Sequence, residues 1–220
     1  MIDLLRTLLE AQDDSRARSQ QVEIGPSQLG GCRRQVMYQL HGAPVVNPTE
    51  RLASMMGTAI HGMIEEAFAK HGDPNDLLLE IEVPGVEDIG LGPGHIDMYR
   101  KSDKSITDWK TSKLKNARYF PKQQQRWQVH TYGFLAAGAG YPVEYVRLVS
   151  IPRDGTFKDI KVHEEPYDEN VAWQAMDWLA ELWAVKDNDW LPEPEMSGVF
   201  CTDYCNYYGP DVGMCGGKSV

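Results

Sequence analysis

Two aspartates and a lysine form the densest chemical pattern in the chain. Asp97 lies in the run GHIDMYR, and eleven residues later Asp108 and Lys110 flank Trp109 in the run KSITDWK. Both runs have the composition and the Gly, Ser and Asp boundaries of short β-strands. Side chains alternate along a strand, so Asp108 and Lys110 share one face while Trp109 points to the other. If neighbouring strands carry Asp97 and Asp108, two carboxylates and an ammonium converge. Carboxylates bind a hard divalent cation, which can activate water and neutralise the charge of a phosphodiester under in-line attack. A lysine beside that cation can orient the water and offset negative charge in the transition state.

The four cysteines form a second pattern. Cys32 stands far upstream, and Cys201, Cys205 and Cys215 make a C-x3-C-x9-C group. The opening residues MIDLLRTLLEAQDDSRARSQ mix charges from the third position, unlike a secretory signal. No run approaches the roughly 18 to 20 apolar residues of a membrane span. The expected address is therefore cytoplasmic (a host's cytoplasm for a phage-encoded chain), with no membrane partner. In that reducing compartment four cysteines read as metal or cluster ligands, not as two disulfides. One distant and three grouped cysteines suit a cuboidal [4Fe-4S] cluster. Zinc is the competing occupant, although four-cysteine zinc sites usually show two close C-x2-C pairs. A ligand set that ties Cys32 to the tail would close a loop of nearly the whole domain and order a segment beyond Pro192 that has little apolar content.

Charge is distributed unevenly. The net charge of -10 argues against a protein that coats nucleic acid indiscriminately. Yet nine basic residues against two acids fall between Arg100 and Arg126, a local charge of +7, whereas Glu164 to Glu195 holds ten acids and the single base Lys186. Two faces of opposite sign are expected, the basic one running with the Asp108–Lys110 strand and the helix entry after it.

The elements that must position these groups can be read from periodicity. With 220 residues, 42% of them hydrophobic, a single domain with an ample core is expected. Helices are predicted over residues 1–20 with Leu4, Leu5, Leu8 and Leu9 on one side, from Ser27 through Cys32 to Leu40, and over Glu50–Lys70 with Met56, Ile60, Met63, Ile64, Ala67 and Phe68 as the apolar stripe. Strands follow at 77–83, 94–100 and 104–110 as a meander. A helix then runs from Lys122 to Ala139, strands cover 141–151 and 156–164 around a turn at Arg153-Asp154-Gly155, and a last helix spans Asp168–Lys186. Its Trp173, Trp178 and Trp183 are read as core packing plus a rim position. The tail is expected to be irregular.

The order Asp97, Asp108, D-W-K resembles the catalytic core of the PD-(D/E)XK nuclease superfamily, and its surroundings resemble the RecB-like branch. That branch carries a histidine in a helix segment like GTAIHGMIEE, here His61, and a Q-x-x-x-Y element after the D-x-K strand, here Gln128 and Tyr132 in QVHTY. The resemblance implies an α/β restriction-endonuclease-like core, a central mixed sheet flanked by helices. It also implies a metal held by His61, Asp97, Asp108 and the carbonyl of Trp109, with Glu65 a weaker candidate one helical turn on. An imidazole ligand makes Mn²⁺ at least as suitable as Mg²⁺. Lys110 would position the attacking water, and Gln128 and Tyr132 would hold the lysine or the substrate phosphate. Lys113, Lys115, Arg118, Lys122 and Arg126 would line the DNA path. Some RecB-like nucleases, the CRISPR-associated ones among them, carry a four-cysteine iron-sulfur staple whose first cysteine follows a segment like PSQLGGCRRQVMY. On that pattern residues 26–45 and 192–220 form a cysteine-cluster subdomain around a catalytic core of about 50–190. The activity implied is an exonuclease acting on single-stranded DNA ends. A non-catalytic DNA-binding scaffold, or a processing factor in recombination or CRISPR adaptation, is the alternative. The chain has no helicase segment, so unwinding would need a partner.

Overall fold

The strands lie in one mixed five-stranded sheet whose spatial order follows the chain: β1 (Leu77–Val83), β2 (Gly94–Arg100), β3 (Ser105–Ser112), β4 (Tyr145–Pro152) and β5 (Lys161–Pro166). The computed structural model describes residues 1–15, 23–47 and 49–218. The first three strands form the expected antiparallel meander, with Leu77 opposite Arg100 and Tyr99 opposite Ile106. β3 and β4 are parallel, from Ser105 opposite Tyr145 to Ser112 opposite Pro152. A parallel pair cannot be closed by a tight turn, and the crossover is supplied by the helix α4 (Gln123–Gly138). β5 returns antiparallel to β4.

Helices cover both faces, as the α/β class expected for the chain requires. On one face α4 and α5 (Glu169–Trp183) bury Val129, Tyr132, Ala136, Ala175, Trp178 and Leu179 against Ile96, Tyr99, Ile106, Val146 and Leu148. On the other, α3 (Leu52–His71) lays Ile64 and Phe68 on Met98, Trp109 and Val149, with the Phe68 and Trp109 rings stacked at 5.6 Å. No α3 side chain is fully buried. The expected stripe is corrected in part: Ile64 and Phe68 pack on the sheet and Ile60 is half-buried, but Met56, Met63 and Ala67 are exposed.

Three further expectations change. Pro26–Gln28 forms a short 3-10 turn, and the next helix, α2 (Arg33–Leu40), starts only after Cys32, because Gly30 breaks the run with φ +74°. The segment read as a strand from Thr156 begins instead with a 3-10 turn at Phe157–Asp159, and β5 starts at Lys161. The tail is not wholly irregular, since α6 (Val199–Tyr204) follows Gly198. The first helix, α1 (Ile2–Asp14), keeps Leu4, Leu5, Leu8 and Leu9 exposed, and its expected continuation over residues 16–20 lies outside the described residues. Trp178 is buried and Trp173 sits at the rim, edge-on to Phe134.

The two ends of the chain meet. Arg33 pairs with Glu195 and Glu181, Arg34 donates to the Pro192 carbonyl, and the Asn47 amide donates to the carbonyls of Cys201, Thr202 and Cys205. Among the described residues no helix is long and apolar enough to cross a membrane.

Candidate active site and cysteine cavity

The β2–β3 ladder stops at Met98 opposite Thr107, and beyond it the two strands part. Into that gap reaches Asp97, whose Oδ2 accepts the backbone N–H of Trp109 at 2.7 Å. The other oxygen, Oδ1, lies 3.5 Å from Nδ1 of His61 on α3. Asp108 and Lys110 share a face of β3, as strand periodicity demands, with Lys110 Nζ 2.6 Å from Asp108 Oδ2. Lys110 also donates to Gln128 Oε1 at 2.6 Å, and Gln128 Nε2 donates to the Tyr132 hydroxyl at 3.1 Å. The ammonium needs an acceptor, which fixes the Gln128 amide with its oxygen toward Lys110. Gln128 and Tyr132 are four apart on α4 and both buried, so one helix face forms the relay.

The electrostatics follow from burial. Asp108 is enclosed, and loss of water pushes its pKa up to about 6, with Lys110 opposing and Asp97 assisting the rise. Its Oδ2 is held by the Lys110 ammonium in a buried ion pair. Burial disfavours the His61 imidazolium, but Asp97 and Asp108 outweigh that effect and raise its pKa. His61, two carboxylates and the Trp109 carbonyl are the donor chemistry of a divalent-cation site. Among the described residues no group of three or more His, Cys, Asp and Glu side chains is closed on one point as a ready ion site. That holds for the four cysteines as for the aspartates, where Lys110 engages Asp108 and the Trp109 N–H engages Asp97. Glu65 is exposed and pairs with no site residue among the described ones.

His61, Trp109 and Lys110 line a groove of about 620 Å³ that also exposes Ser54, Thr58, Thr111, Arg153 and Tyr204. Among the described residues no acidic side chain lines it. Arg153, in the β4–β5 turn, and Tyr204, on α6, were not singled out from sequence. Nothing in the spacing marks Arg153, whereas the position of Tyr204 between Cys201 and Cys205 was a usable signal.

The basic residues divide. Lys113, Lys115, Arg118 and Lys122 are exposed on the 3-10 segment Leu114–Tyr119 and its flanks, next to a small pocket that shares Lys110 and Thr111 with the groove. Arg126 is engaged inside the fold, donating to both Glu165 oxygens at 2.7 and 2.8 Å. Glu165 also meets His130 and His163, and although burial opposes it, these partners, Arg126 first, hold its pKa down at about 2.

All four cysteines are free thiols, and all four line one cavity of about 150 Å³ together with Gly31, Tyr38 and Phe200. Cys201, Cys205 and Cys215 are buried. Burial and the neighbouring sulfurs raise the pKa of Cys201 and Cys205, so these thiols are protonated at neutral pH.

No family model matches the sequence, and no curated protein matches it either. Solved structures do match in fold. The chain is similar to SSO0001, with a TM-score of 0.56 and 22% identity over 100% of this chain and 98% of that one. It is also similar to an alkaline exonuclease, LHK-Exo, from Laribacter hongkongensis (TM-score 0.55, 13% identity, 77% and 90% of the two chains). A phage-related exonuclease from Haemophilus somnus 129PT shares the fold at a TM-score of 0.52 and 11% identity, over 74% and 92% of the two chains. At these identities the likeness is one of fold.

Proposed function

We propose that the chain is a divalent-metal-dependent deoxyribonuclease of the RecB-like PD-(D/E)XK type that hydrolyses phosphodiester bonds at single-stranded DNA ends. The observation that carries this reading is the pairing of His61 with Asp97 and of Lys110 with Asp108 at one end of a groove that no acidic side chain lines among the described residues, on a fold shared with two exonucleases. His61, Asp97, Asp108 and the Trp109 carbonyl would hold Mn²⁺ or Mg²⁺. The bound cation would supply Lewis acidity and charge neutralisation at the scissile phosphate. A buried Asp108 carboxylate fits that role, since a charge taken out of water is costly unless a cation joins it, and Lys110 already supplies one.

The remaining work falls to the chain. Lys110, held from behind by Gln128, places its ammonium where an attacking water or a phosphate oxygen would sit and offsets negative charge there. Gln128 and Tyr132 act through Lys110 by fixing its position. Lys113, Lys115, Arg118 and Lys122 offer exposed cations along the approach for the DNA backbone.

We assign the cysteine cavity to a structural [4Fe-4S] cluster, supported by four free thiols on one cavity wall and by the contacts that already join residues 33–47 to 192–206. The test is anaerobic purification, a visible spectrum, and incubation of the same sample with end-labelled single-stranded DNA and Mn²⁺. Brown protein that shortens DNA, with Asp108→Ala and Lys110→Ala inactive but still brown and folded, is the expected result. Residual cleavage by either variant near the wild-type rate refutes the site, and a colourless zinc protein refutes the cluster alone.

A further inference from the structure

Tyr204 stands where the two centres meet: it lines the groove with His61 and Lys110, and it also lines the cysteine cavity. One helical turn earlier on α6 comes Phe200, on the same face, since residues four apart on a helix lie one above the other. Both rings are large and half in solvent, Phe200 at 54% and Tyr204 at 50% exposure. Among the described residues neither ring is paired with another aromatic ring. Tyr204 borders both the groove and the cysteine cavity and Phe200 borders the cavity beside it, and exposed rings cost solvation unless something covers them.

The chemistry of the groove names the occupant. Its wall holds the cations Lys110 and Arg153, the imidazole of His61 and the hydroxyls of Ser54, Thr58 and Thr111; among the described residues no carboxylate lines it, and the buried Asp97 and Asp108 behind it face His61 and Lys110. The Arg153 guanidinium donates to the Ala53 carbonyl and has no carboxylate partner among the described residues, so charge remains available to a phosphate. Phosphates along the floor and flat apolar rings at the exit are the two halves of a single-strand binding track. A duplex cannot use the second half, because its base faces are covered by their neighbours.

We propose that Tyr204 and Phe200 form a base-stacking platform that receives unpaired nucleotides of a DNA strand whose scissile phosphate lies at Lys110, with Arg153 holding an adjacent phosphate. This rests on the nuclease reading for the strand's direction into the groove, but the platform itself is a binding element and is measured without cleavage. α6 contains Cys201 and is capped by Cys205, two of the cysteines that line the cavity, so the cysteine centre also sets the position of the platform.

The experiment uses the intact chain without added divalent metal. Affinity is measured by fluorescence anisotropy for a labelled oligothymidine strand and for a strand of equal length made of abasic sites, at one fixed salt concentration. Wild type is expected to prefer the base-bearing strand, and Tyr204→Leu or Phe200→Leu to lose roughly 5- to 150-fold of that affinity per stacked base. Binding of the abasic strand should be nearly unchanged. Tyr204→Trp should keep the preference. Visible spectra and metal content of each variant report whether the cysteine centre is intact. The proposal is overturned if the leucine variants bind oligothymidine like wild type, if they lose both strands equally, or if affinity drops only in samples whose cysteine centre is lost. Cleavage separates the two ideas. Wild type that cuts DNA without any base-dependent affinity removes the platform alone, whereas base-dependent binding without cleavage under Mn²⁺ or Mg²⁺ keeps the platform and removes the nuclease reading.

Discussion

Tyr132→Phe removes one oxygen and leaves the ring in place, yet it should reach the lysine in the groove. Gln128 is 4% exposed, so its Nε2, which donates to the Tyr132 hydroxyl at 3.1 Å, has no water to turn to. An orphaned buried donor costs about 1 to 3 kcal/mol. For a chain of this size, about 2 kcal/mol lowers the melting temperature by roughly 4 to 8 °C. Gln128→Leu acts on the other link: Lys110 loses the acceptor at 2.6 Å and keeps only Asp108. A hydrogen bond to a charged group is worth about 1.5 to 3 kcal/mol, so if it persists in the transition state, cleavage falls roughly 10- to 150-fold. The double variant replaces both partners of the Gln128–Tyr132 bond by apolar groups and leaves no orphan between them. Its stability loss should therefore be smaller than the sum of the single losses by about 0.5 to 3 kcal/mol. Thermal melts of the four proteins and single-turnover cleavage at saturating metal measure both terms. Additive stability losses, together with wild-type cleavage by Gln128→Leu, would refute the relay.

Gly94→Ala should act on the same relay from the other side, since a Cβ there would lie 2.7 Å from the Tyr132 ring and 3.2 Å from Pro26. A loss of about 1 to 3 kcal/mol in urea melts, with weakened cleavage, is expected, and wild-type values for both would count against it. Cys201→Ala should give colourless, poorly soluble protein, and a brown, stable variant would sink the cluster assignment. Stability should fall as pH drops below about 6.5. Burial lowers the His130 pKa, so the unfolded chain takes up a proton that the folded chain refuses. Glu165, held at about 2, adds a further loss as pH falls below the ordinary glutamate range toward 2. His61, whose pKa is raised, contributes with the opposite sign, so the comparison is of melting curves for wild type and His130→Gln between pH 7 and 5. Superimposable pH profiles for the two proteins would contradict the His130 part.

The centre of the groove was legible because strand periodicity is strict. A two-residue repeat puts Asp108 beside Lys110 whatever surrounds them, and the ranges 77–83 and 94–100 are the observed β1 and β2. Helix α4 likewise begins after Lys122 and ends before Ala139. Strand direction was not legible: alternation reads the same forwards and backwards, so the parallel β3–β4 pair emerged only with the α4 crossover in place. The β-like letters of Thr156–Ile160 lost to a local contest, because the Asp159 carboxylate accepts from the backbone and hydroxyl of Thr156 and closes a turn. Arg126 looked like any other cation in the basic run. Its commitment to Glu165, 39 residues away, depends on β5 lying beside α4, which no local pattern encodes.

A sheet whose strands stand in the order of synthesis has a consequence for how the molecule is made. Each strand from β2 to β5 finds a partner already emerged from the ribosome, so the sheet with its Asp97, Asp108 and Lys110 can assemble as the chain grows. The cysteine cavity follows the opposite schedule. Cys32 precedes the sheet and must wait for Cys201, Cys205 and Cys215, which follow its last strand. On the proposed cluster reading, filling of that cavity would be a maturation step that comes after completion of the sheet. A cell short of the inorganic cargo would accumulate chains with a finished groove and an unfastened C-terminal segment, and that segment is where quality-control proteases would be expected to begin.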